Sequence, residues 1–252
     1  MKVSIITVCY NSKEFIQHAI DSVLNQTYSN IEYIIIDGNS TDGTVDIVNS
    51  YGDKISKFVS EKDKGIYDAM NKGLSYVTGD IVGILNSDDF YISNTIISEI
   101  VAQFNTNACD ALFADLIFVD RNNTDKQVRY WKSKPYISGS FKQGWHPSHP
   151  TFFVKNEFYQ NFGLFNCTLK LAADFELMLR FIVKHHAKTF YYAKPIVKMR
   201  MGGASTKGLS NLVKQNIECV KSFKINGLKV SIFYPIIRLA PKILQVIKRK
   251  IA

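Results

Sequence analysis

The segment Ile84-Leu85-Asn86-Ser87-Asp88-Asp89-Phe90 decides the prediction of the fold. An apolar run at residues 81–85 comes directly before two adjacent carboxylates and is typical of a buried β-strand. In an open α/β sheet, ligands bind outside the carboxyl ends of the strands. Because burying unpaired carboxylates is costly, the pair should be solvated or hold a cation. Hard oxygen ligands suit Mg²⁺ or Mn²⁺.

The same acidic pair is also compatible with a helix start. In that alternative, Ser87 or Asp88 caps a helix that continues through residues 96–104. This segment alone supports the two interpretations about equally, and its neighbours decide between them.

The chain before this segment alternates between strands and helices. Strand-like apolar runs lie at residues 3–8, 31–36, 58–60 and 81–85, with helical patterns between them. This alternation predicts an α/β fold with a mostly parallel central sheet and right-handed crossovers. The turn at residues 10–13 contains no glycine, which excludes a dinucleotide-binding fingerprint, and a Walker-type phosphate loop is absent.

The later part of the chain has a less regular pattern. We predict a hairpin from residues 112–119 and 128–131, a strand at 151–154, and strand-like runs at 190–192 and 196–199. Helices are predicted at 158–162, from 171 through 183, and near 211–223.

Composition and charge narrow the class of protein. The chain has 252 residues and a net charge of +9, and from residue 214 onward nine cations accompany a single acid, Glu218. The four cysteines form no CxxC pair, which favours a reducing compartment over a disulfide framework or a zinc site. The N-terminus is typical of a first strand rather than a signal peptide. No uncharged apolar run approaches the roughly 18 residues of a membrane-spanning helix. We therefore expect a cytoplasmic protein, peripherally attached to the inner face of the cell membrane.

Six motifs in order resemble the inverting glycosyltransferases of family two, which have the GT-A fold. The resemblance covers about residues 1–223. The motifs are SIITVCYNSKEFI, YIIIDGNSTDGT, SEKDKGIYDAMNKGL, GDIVGILNSDDF, HPTFFVK and LAADFELMLRF. The resemblance implies a nucleoside-diphosphate-sugar donor, most often UDP-linked, a divalent cation, and hexosyl or N-acetylhexosaminyl transfer with inversion. The implied acceptor is a saccharide or a polyprenyl-linked saccharide of cell-surface polysaccharide synthesis.

The resemblance also implies roles for residues on the donor side. Recognition of the nucleotide-sugar is carried over to the residues of the first strands and of the third motif: Thr7, Tyr10, Asn11, Asp37, Asp63, Asn71 and Lys72. For Asp37 the alternative is a turn residue, and for Lys72 it is a surface ion pair with Asp68. Asp42 is expected to cap the second helix.

Metal binding and catalysis fall on the later motifs. The resemblance makes Asp89 the direct metal ligand, Asp88 a ligand of the metal or the sugar nucleotide, and Asp174 the general base. Asp174 could alternatively cap its helix, and Glu176 is the second candidate for the base. His149 is expected near the donor or acceptor. Lys207 belongs to a glycine-containing loop, residues 201–207, that could cradle the diphosphate or be a plain turn.

The predicted domain is followed by a basic, amphipathic tail. We predict a GT-A domain at residues 1–223, with a nucleotide-sugar half at 1–105 and an acceptor half at 106–223, and a tail at 224–252. The tail's cations and apolar residues favour attachment to an anionic bilayer. An oligomer contact, or a helix packed on the domain, is the alternative. The oligomeric state is left open.

Two other functions compete with glycosyl transfer. A sugar nucleotidyltransferase would carry a glycine- and arginine-rich loop after the first strand, which residues 10–13 lack. A basic nucleic-acid-binding protein would place its charge on a folded face with interleaved aromatics, whereas here the excess charge lies in the apolar tail. We therefore expect no nucleic-acid partner.

Overall fold

A computed structural model describes residues 1–202 and 208–239. Its strands are β1 Val3–Cys9, β2 Ile31–Asp37, β3 Lys57–Ser60, β4 Ile81–Ile84, β5 Asp89–Tyr91, β6 Ala111–Val119, β7 Gln127–Trp131, β8 Phe153–Lys155 and β9 Thr189–Arg200. Its α-helices are α1 Ile16–Leu24, α2 Thr44–Asn49, α3 Ile66–Leu74, α4 Ile96–Asn107, α5 Asn156–Phe162, α6 Ala173–Leu179 and α7 Gly208–Ile225. Short 3₁₀ turns cover Gly52–Lys54, Ser140–Gln143 and His149–Thr151, and α6 continues into a π-helical turn at Arg180–Lys184.

The nine strands within the described residues belong to one sheet, in the order β3-β2-β1-β4-β8-β6-β9-β5, with β7 beside β6. The strands β1 to β4 pair in parallel, as the alternating pattern predicts. Every residue of β1 is buried because helices cover both faces. Ile6 and Val8 pack in the cluster that contains residues of α3 and α6, whereas Val3 and Ile5 pack with α1 and α4.

The later strands make a mixed arrangement. β8 pairs antiparallel with β4 and β6, and β7 returns beside β6 as the predicted hairpin. The strand-like runs predicted at 190–192 and 196–199 are one strand, β9, which pairs in parallel with β6. The pairing register of β6 and β9 shifts where Asp115 lies opposite Pro195. This irregularity explains why the sequence pattern of β9 is read as two separate runs.

The deciding segment connects β4 to β5. β4 ends at Ile84, and Asp89 begins β5, which pairs antiparallel with β9. The alternative that Ser87 or Asp88 caps a helix is therefore wrong, because α4 begins at Ile96 with Thr95 as its N-cap.

The described part of the tail packs against the domain with one face. Tyr234 and Arg238 are buried, and Asn216 of α7 donates a hydrogen bond to the carbonyl of Pro235 (3.0 Å). The opposite face exposes Ile232 and Phe233, which are 87% and 64% accessible. Residues 240–252 lie outside the described residues. Among the helices that are described, none is long and apolar enough to span a membrane.

Candidate active site

The carboxyl ends of β1, β2 and β4 meet at one edge of the sheet. β1 lies between the other two and pairs in parallel with both. Tyr10, Asp37 and the Asn86–Asp89 turn therefore come to the same edge from three separate parts of the chain. This is the edge at which open α/β sheets bind ligands.

Asp89 is a buried carboxylate with an unsatisfied oxygen. Its side chain has no exposed area, and Oδ2 accepts a hydrogen bond from Asn86 Nδ2 (3.1 Å). Among the described residues, Oδ1 of Asp89 and Oδ1 of Asn86 have no hydrogen-bond partner. Burial and the neighbouring charge of Asp88 raise the pKa of Asp89 well above its usual range. A cation bound here would offset the cost of burying this carboxylate.

The oxygen ligands at this turn suit a hard cation for which the protein supplies only some of the ligands. Asp89 and Asn86 offer buried oxygens, and the half-buried Asp88 lies beside them. Within residues 1–202 and 208–239, no cluster of three or more His, Cys, Asp or Glu residues could hold a metal. Mg²⁺ commonly uses one or two carboxylates and takes its other ligands from water and substrate phosphates.

Arg200, at the end of β9, fixes the backbone of the acidic pair. Its Nη1 donates to the carbonyl of Asp88 (2.9 Å), and Nη2 lies 2.9 Å from His18 Nδ1. The guanidinium packs over the rings of Phe15 and Phe90, at 5.0 and 4.9 Å from their centroids. The sequence analysis missed this residue. A cation ending a strand-like run, two residues before a glycine pair, is the signal that could have identified it.

Asp174 lies in the first turn of α6, where two side chains hold it. Tyr67 Oη donates to Oδ1 (3.2 Å), and His149 Nδ1 lies 3.4 Å from Oδ2. The carboxylate is 19% exposed. Ala172 is the N-cap of α6, and no side chain caps this helix within itself. The alternative that Asp174 is a helix cap is therefore not realised.

His149 links Asp174 to the acidic turn. Its Nε2 lies 3.3 Å from Asn86 Nδ2, so Asp89, Asn86, His149 and Asp174 form a connected row. Burial lowers the pKa of His149, although the carboxylates of Asp174 and Asp88 act in the opposite direction. In one tautomer of the neutral ring, Nε2 accepts from Asn86, and Nδ1–H faces Asp174 Oδ2 at 3.4 Å.

Tyr10 and Asp63 flank a glycine at this edge. Tyr10 is 65% exposed, and Asp63 Oδ1 accepts the backbone N–H of Gly65 (2.8 Å). A Cβ on Gly38 would lie 2.6 Å from Asp63 Oδ2 and 3.2 Å from the Tyr10 ring. The close approach of these two side chains therefore requires glycine at position 38.

Two predicted donor residues form internal contacts at the same edge. Asp37 is fully buried and accepts hydrogen bonds from the N–H of Ser40 (2.9 Å) and the hydroxyl of Ser60 (2.7 Å), as its turn alternative predicts. Asn11 Oδ1 accepts the N–H of Thr41 (3.0 Å). For Asp37 and Asn11, direct contact with a nucleotide stays a prediction.

The predicted role of Thr7 is not supported by this geometry. Its hydroxyl has no exposed area and lies 3.0 Å from the hydroxyl of buried Tyr33. A side chain enclosed in this way cannot reach a ligand at the sheet edge without a rearrangement of the core.

The predicted roles of Asn71 and Lys72 also lack support, because both side chains already have partners. The amide of Asn71 bonds the backbone N–H and carbonyl of Phe165 (both 2.9 Å). The ammonium of Lys72 bonds Glu61 (2.8 Å) and the carbonyl of Lys62 (2.7 Å).

As the alternative interpretation predicts, Lys72 forms a surface ion pair. Its closer partner is Glu61, however, and the predicted partner Asp68 lies 3.9 Å away. Asp42 lies at the start of α2, where it accepts the N–H of Thr44 (3.0 Å). The remaining predicted donor residue, Lys207, lies outside the described residues.

Comparison with known proteins adds a family to this geometry. Residues 4–170 match the family model described as glycosyl transferase family 2. An uncharacterized glycosyltransferase of Rickettsia typhi is 30% identical over 215 residues, which are 81% of this chain but only 65% of that relative. The UDP-Glc:alpha-D-GlcNAc-diphosphoundecaprenol beta-1,3-glucosyltransferase of Escherichia coli is 41% identical over 101 residues, 39% of each chain.

A solved structure shares the fold. The mannosyltransferase of Pyrobaculum calidifontis, in complex with GDP-Man and Mn²⁺, superposes with a TM-score of 0.66 at 18% identity, covering 94% of this chain and 68% of the other. The GT-A fold and the family predicted from the motifs are both confirmed. The chain belongs to glycosyl transferase family 2.

Proposed function

We propose that this member of glycosyl transferase family 2 is an inverting, metal-dependent enzyme that moves a sugar from a nucleoside-diphosphate sugar, with UDP as the expected carrier, to a hydroxyl of a saccharide or lipid-linked acceptor. The observation that carries the proposal is the connected row Asp89, Asn86, His149 and Asp174. It begins at a carboxylate with an unsatisfied oxygen and ends at a partly exposed carboxylate held by two neighbours. The names of the E. coli and P. calidifontis relatives, which include UDP-Glc and GDP-Man, support the donor class.

The acidic turn supplies the leaving-group side of the reaction. Asp89 and Asn86 would hold Mg²⁺ or Mn²⁺, with Asp88 beside them. When bound, the cation supplies Lewis-acid stabilisation of the departing diphosphate. Arg200 keeps this turn in place through its bond to the Asp88 carbonyl.

Asp174 supplies the proton acceptor on the other side of the sugar. As the acceptor hydroxyl attacks the anomeric carbon, Asp174 takes its proton. The new glycosidic C–O bond forms, the bond to the diphosphate oxygen breaks on the opposite face, and the configuration inverts. Neutral His149 orients the carboxylate through Nδ1–H, and Tyr67 holds its other oxygen.

The exposed face of the tail favours attachment to the cytoplasmic face of an anionic membrane. Ile232, Phe233 and Ile236 are at least 64% accessible, and the exposed cations Lys224 and Lys229 lie close by in sequence. Amphipathic, basic surfaces bind bilayers through both the apolar area and the charge. This location would bring a lipid-linked acceptor to the enzyme.

A thermal-shift screen of nucleotide sugars with Mn²⁺ tests the proposed donor. One nucleoside-diphosphate sugar should raise the melting temperature selectively, because ligands that bind only the folded state stabilise it. Incubation with that donor and a lipid-linked saccharide should then yield a glycosylated product and a nucleoside diphosphate. Release of pyrophosphate from a nucleoside triphosphate instead would identify a nucleotidyltransferase and refute the proposal.

Flotation with anionic vesicles tests the proposed attachment. Replacing Ile232, Phe233 and Ile236 together by serine should abolish flotation. The matched control is Ile137→Ser, which removes an equally exposed side chain (67%) from another part of the domain. Equal flotation of both variants would contradict the assignment of this face.

A further inference from the structure

We propose that Glu218 of α7 is a positioning residue for Asp174, an inference that rests on the proposed function. Its carboxylate accepts three consecutive backbone N–H groups, those of Lys170 (3.0 Å), Leu171 (2.7 Å) and Ala172 (2.9 Å). This turn leads directly into α6, whose second residue is Asp174. Glu218 is 44 residues beyond Asp174 in the chain, so the sequence pattern gave no sign of the contact.

The contact replaces a local helix cap. N–H groups at the start of a helix lack partners within the helix and are usually bonded by a nearby side chain. In a capping box, an acid of the same helix accepts the N–H of the N-cap residue. Here Glu218 accepts that N–H, from Ala172, across a tertiary contact. Asp174 is therefore free of a capping role, and its oxygens are left to Tyr67 and His149.

α7 and the segment after it hold α6 at further points. Asn226 donates to Glu176 Oε1 (2.9 Å), and Glu176 in turn pairs with Arg180 (3.1 Å). Phe223 packs on Phe175, with ring centroids 6.0 Å apart. Glu176, the second candidate for the base, is 1% exposed and belongs to this structural network. The carboxylate of Glu218 thus fixes the N-terminal side of Asp174, and the other contacts fix the C-terminal side.

Loss of the Glu218 charge should affect the acceptor side of the reaction and spare the donor side. The Glu218→Gln substitution keeps one acceptor oxygen but turns an NH₂ group toward backbone donors. The turn at residues 170–172 would then lose bonds, and Asp174 would shift relative to His149. Small misplacements of a catalytic group can cost about 10²-fold in rate. Asp89 and Asn86 follow β4, outside α6 and α7, so donor binding should persist.

The experiment compares Glu218→Gln with Asn216→Ala in the full chain. Asn216 is also on α7, but its side chain bonds Pro235 and Arg238 rather than the turn at 170–172. For Glu218→Gln, we expect kcat to fall about 10- to 100-fold, the donor KM to change less than about twofold, and amide exchange at 170–172 to accelerate. For Asn216→Ala, we expect a lower melting temperature with kcat unchanged below it.

Several outcomes would overturn the inference. Unchanged kcat or unchanged amide exchange in Glu218→Gln would show that the carboxylate does not position Asp174. A parallel loss of donor-induced stabilisation, or an equal fall of kcat in Asn216→Ala, would indicate a general structural role. Sugar transfer by the wild-type protein is measured in the same assay. Its absence would refute the proposed function itself, whereas an active wild type with an equally active Glu218→Gln would refute only the positioning role.

Discussion

Two buried carboxylates in different regions of the sheet, Asp115 and Asp89, differ in how fully their oxygens are hydrogen-bonded. Asp115, in the middle of β6, is 2% exposed and accepts hydrogen bonds from Tyr130 Oη, Tyr191 Oη and the N–H of Ser133, each at 2.7 Å. Asp89, at the sheet edge, has no exposed area, and although Asn86 donates to its Oδ2, its Oδ1 has no partner among the described residues. Burial alone therefore does not distinguish a structural carboxylate from a candidate ligand-binding one.

The difference lies in how each charge is compensated. Burial and the Asp115 carboxylate raise the pKa of Tyr130 to about 12, so its hydroxyl stays protonated and remains a donor. Asp115 is thereby satisfied within the fold. For Asp89, burial and the charge of Asp88 raise the pKa of the carboxyl itself. An unsatisfied buried polar atom in a native protein calls for an explanation, and binding of the cation proposed above is one.

Asp174→Asn should produce the largest effect of the substitutions that probe this comparison. Asp174 is neither deeply buried nor unpaired, so its amide analogue should fold normally but lose the proton acceptor. We expect kcat to fall about 10³-fold, within the range for general-base catalysis. Steady-state kinetics measures the loss, and donor-induced stabilisation should be retained. Turnover near the wild-type value would remove Asp174 from the role of base.

Asp89→Asn should lower activity without lowering stability. In the metal-free protein, the substitution removes a carboxyl group whose ionisation the fold disfavours, so the free energy of unfolding should not decrease. Titration with Mn²⁺ should show a loss of the cation-induced rise in melting temperature, and turnover should fall about 10²-fold, equivalent to about 2.7 kcal/mol. Mn²⁺ affinity equal to that of the wild type would contradict the metal site.

Asp115→Asn is the matched structural control, and it should lower stability without lowering activity. The new NH₂ group would replace one carboxylate oxygen and would face either the Tyr130 hydroxyl, which donates to Oδ2, or the Ser133 N–H and Tyr191 hydroxyl, which donate to Oδ1. Leaving buried donors unsatisfied costs about 2 kcal/mol. Urea denaturation should show this loss, while kcat per folded molecule stays the same. A stability loss for Asp89→Asn as large as that for Asp115→Asn would erase the distinction between the two carboxylates.

Much of the fold could be predicted from local patterns. β1, β2 and β4 are mostly apolar runs, and their predicted ranges, 3–8, 31–36 and 81–85, end within one residue of the observed strands. β5 was missed because it has three residues and begins with an aspartate. Its strand conformation depends on pairing with β9, more than 100 residues later, and no local pattern reveals such a partner.

The sequence motifs identified several residues of the candidate site but not the contacts that join them. The motifs pointed to Asp89, His149 and Asp174, and the structure brings all three into one row through Asn86. Asn86, Tyr67, Arg200 and Glu218 were missed because their contacts join distant segments. Conversely, the sequence could not show that Asn71 and Lys72 are already engaged with Phe165 and Glu61.

Lys72→Ala should produce the smallest effect. It tests whether Lys72 binds the donor, as the motif implies, or only forms the ion pair that the structure shows. The Lys72 side chain is 24% exposed, and its ammonium pairs with Glu61, whose side chain is 57% exposed. Exposed ion pairs contribute about 0.5 kcal/mol, so the free energy of unfolding should change little and donor affinity less than twofold. Calorimetric titration of the nucleotide sugar, with Glu61→Ala as the matched control, measures this. A tenfold loss of affinity in Lys72→Ala alone would mean that Lys72 leaves Glu61 to bind the diphosphate. In that case Lys72 would differ from Asp115: its side chain has partners in the unliganded protein, yet it would not be a purely structural residue.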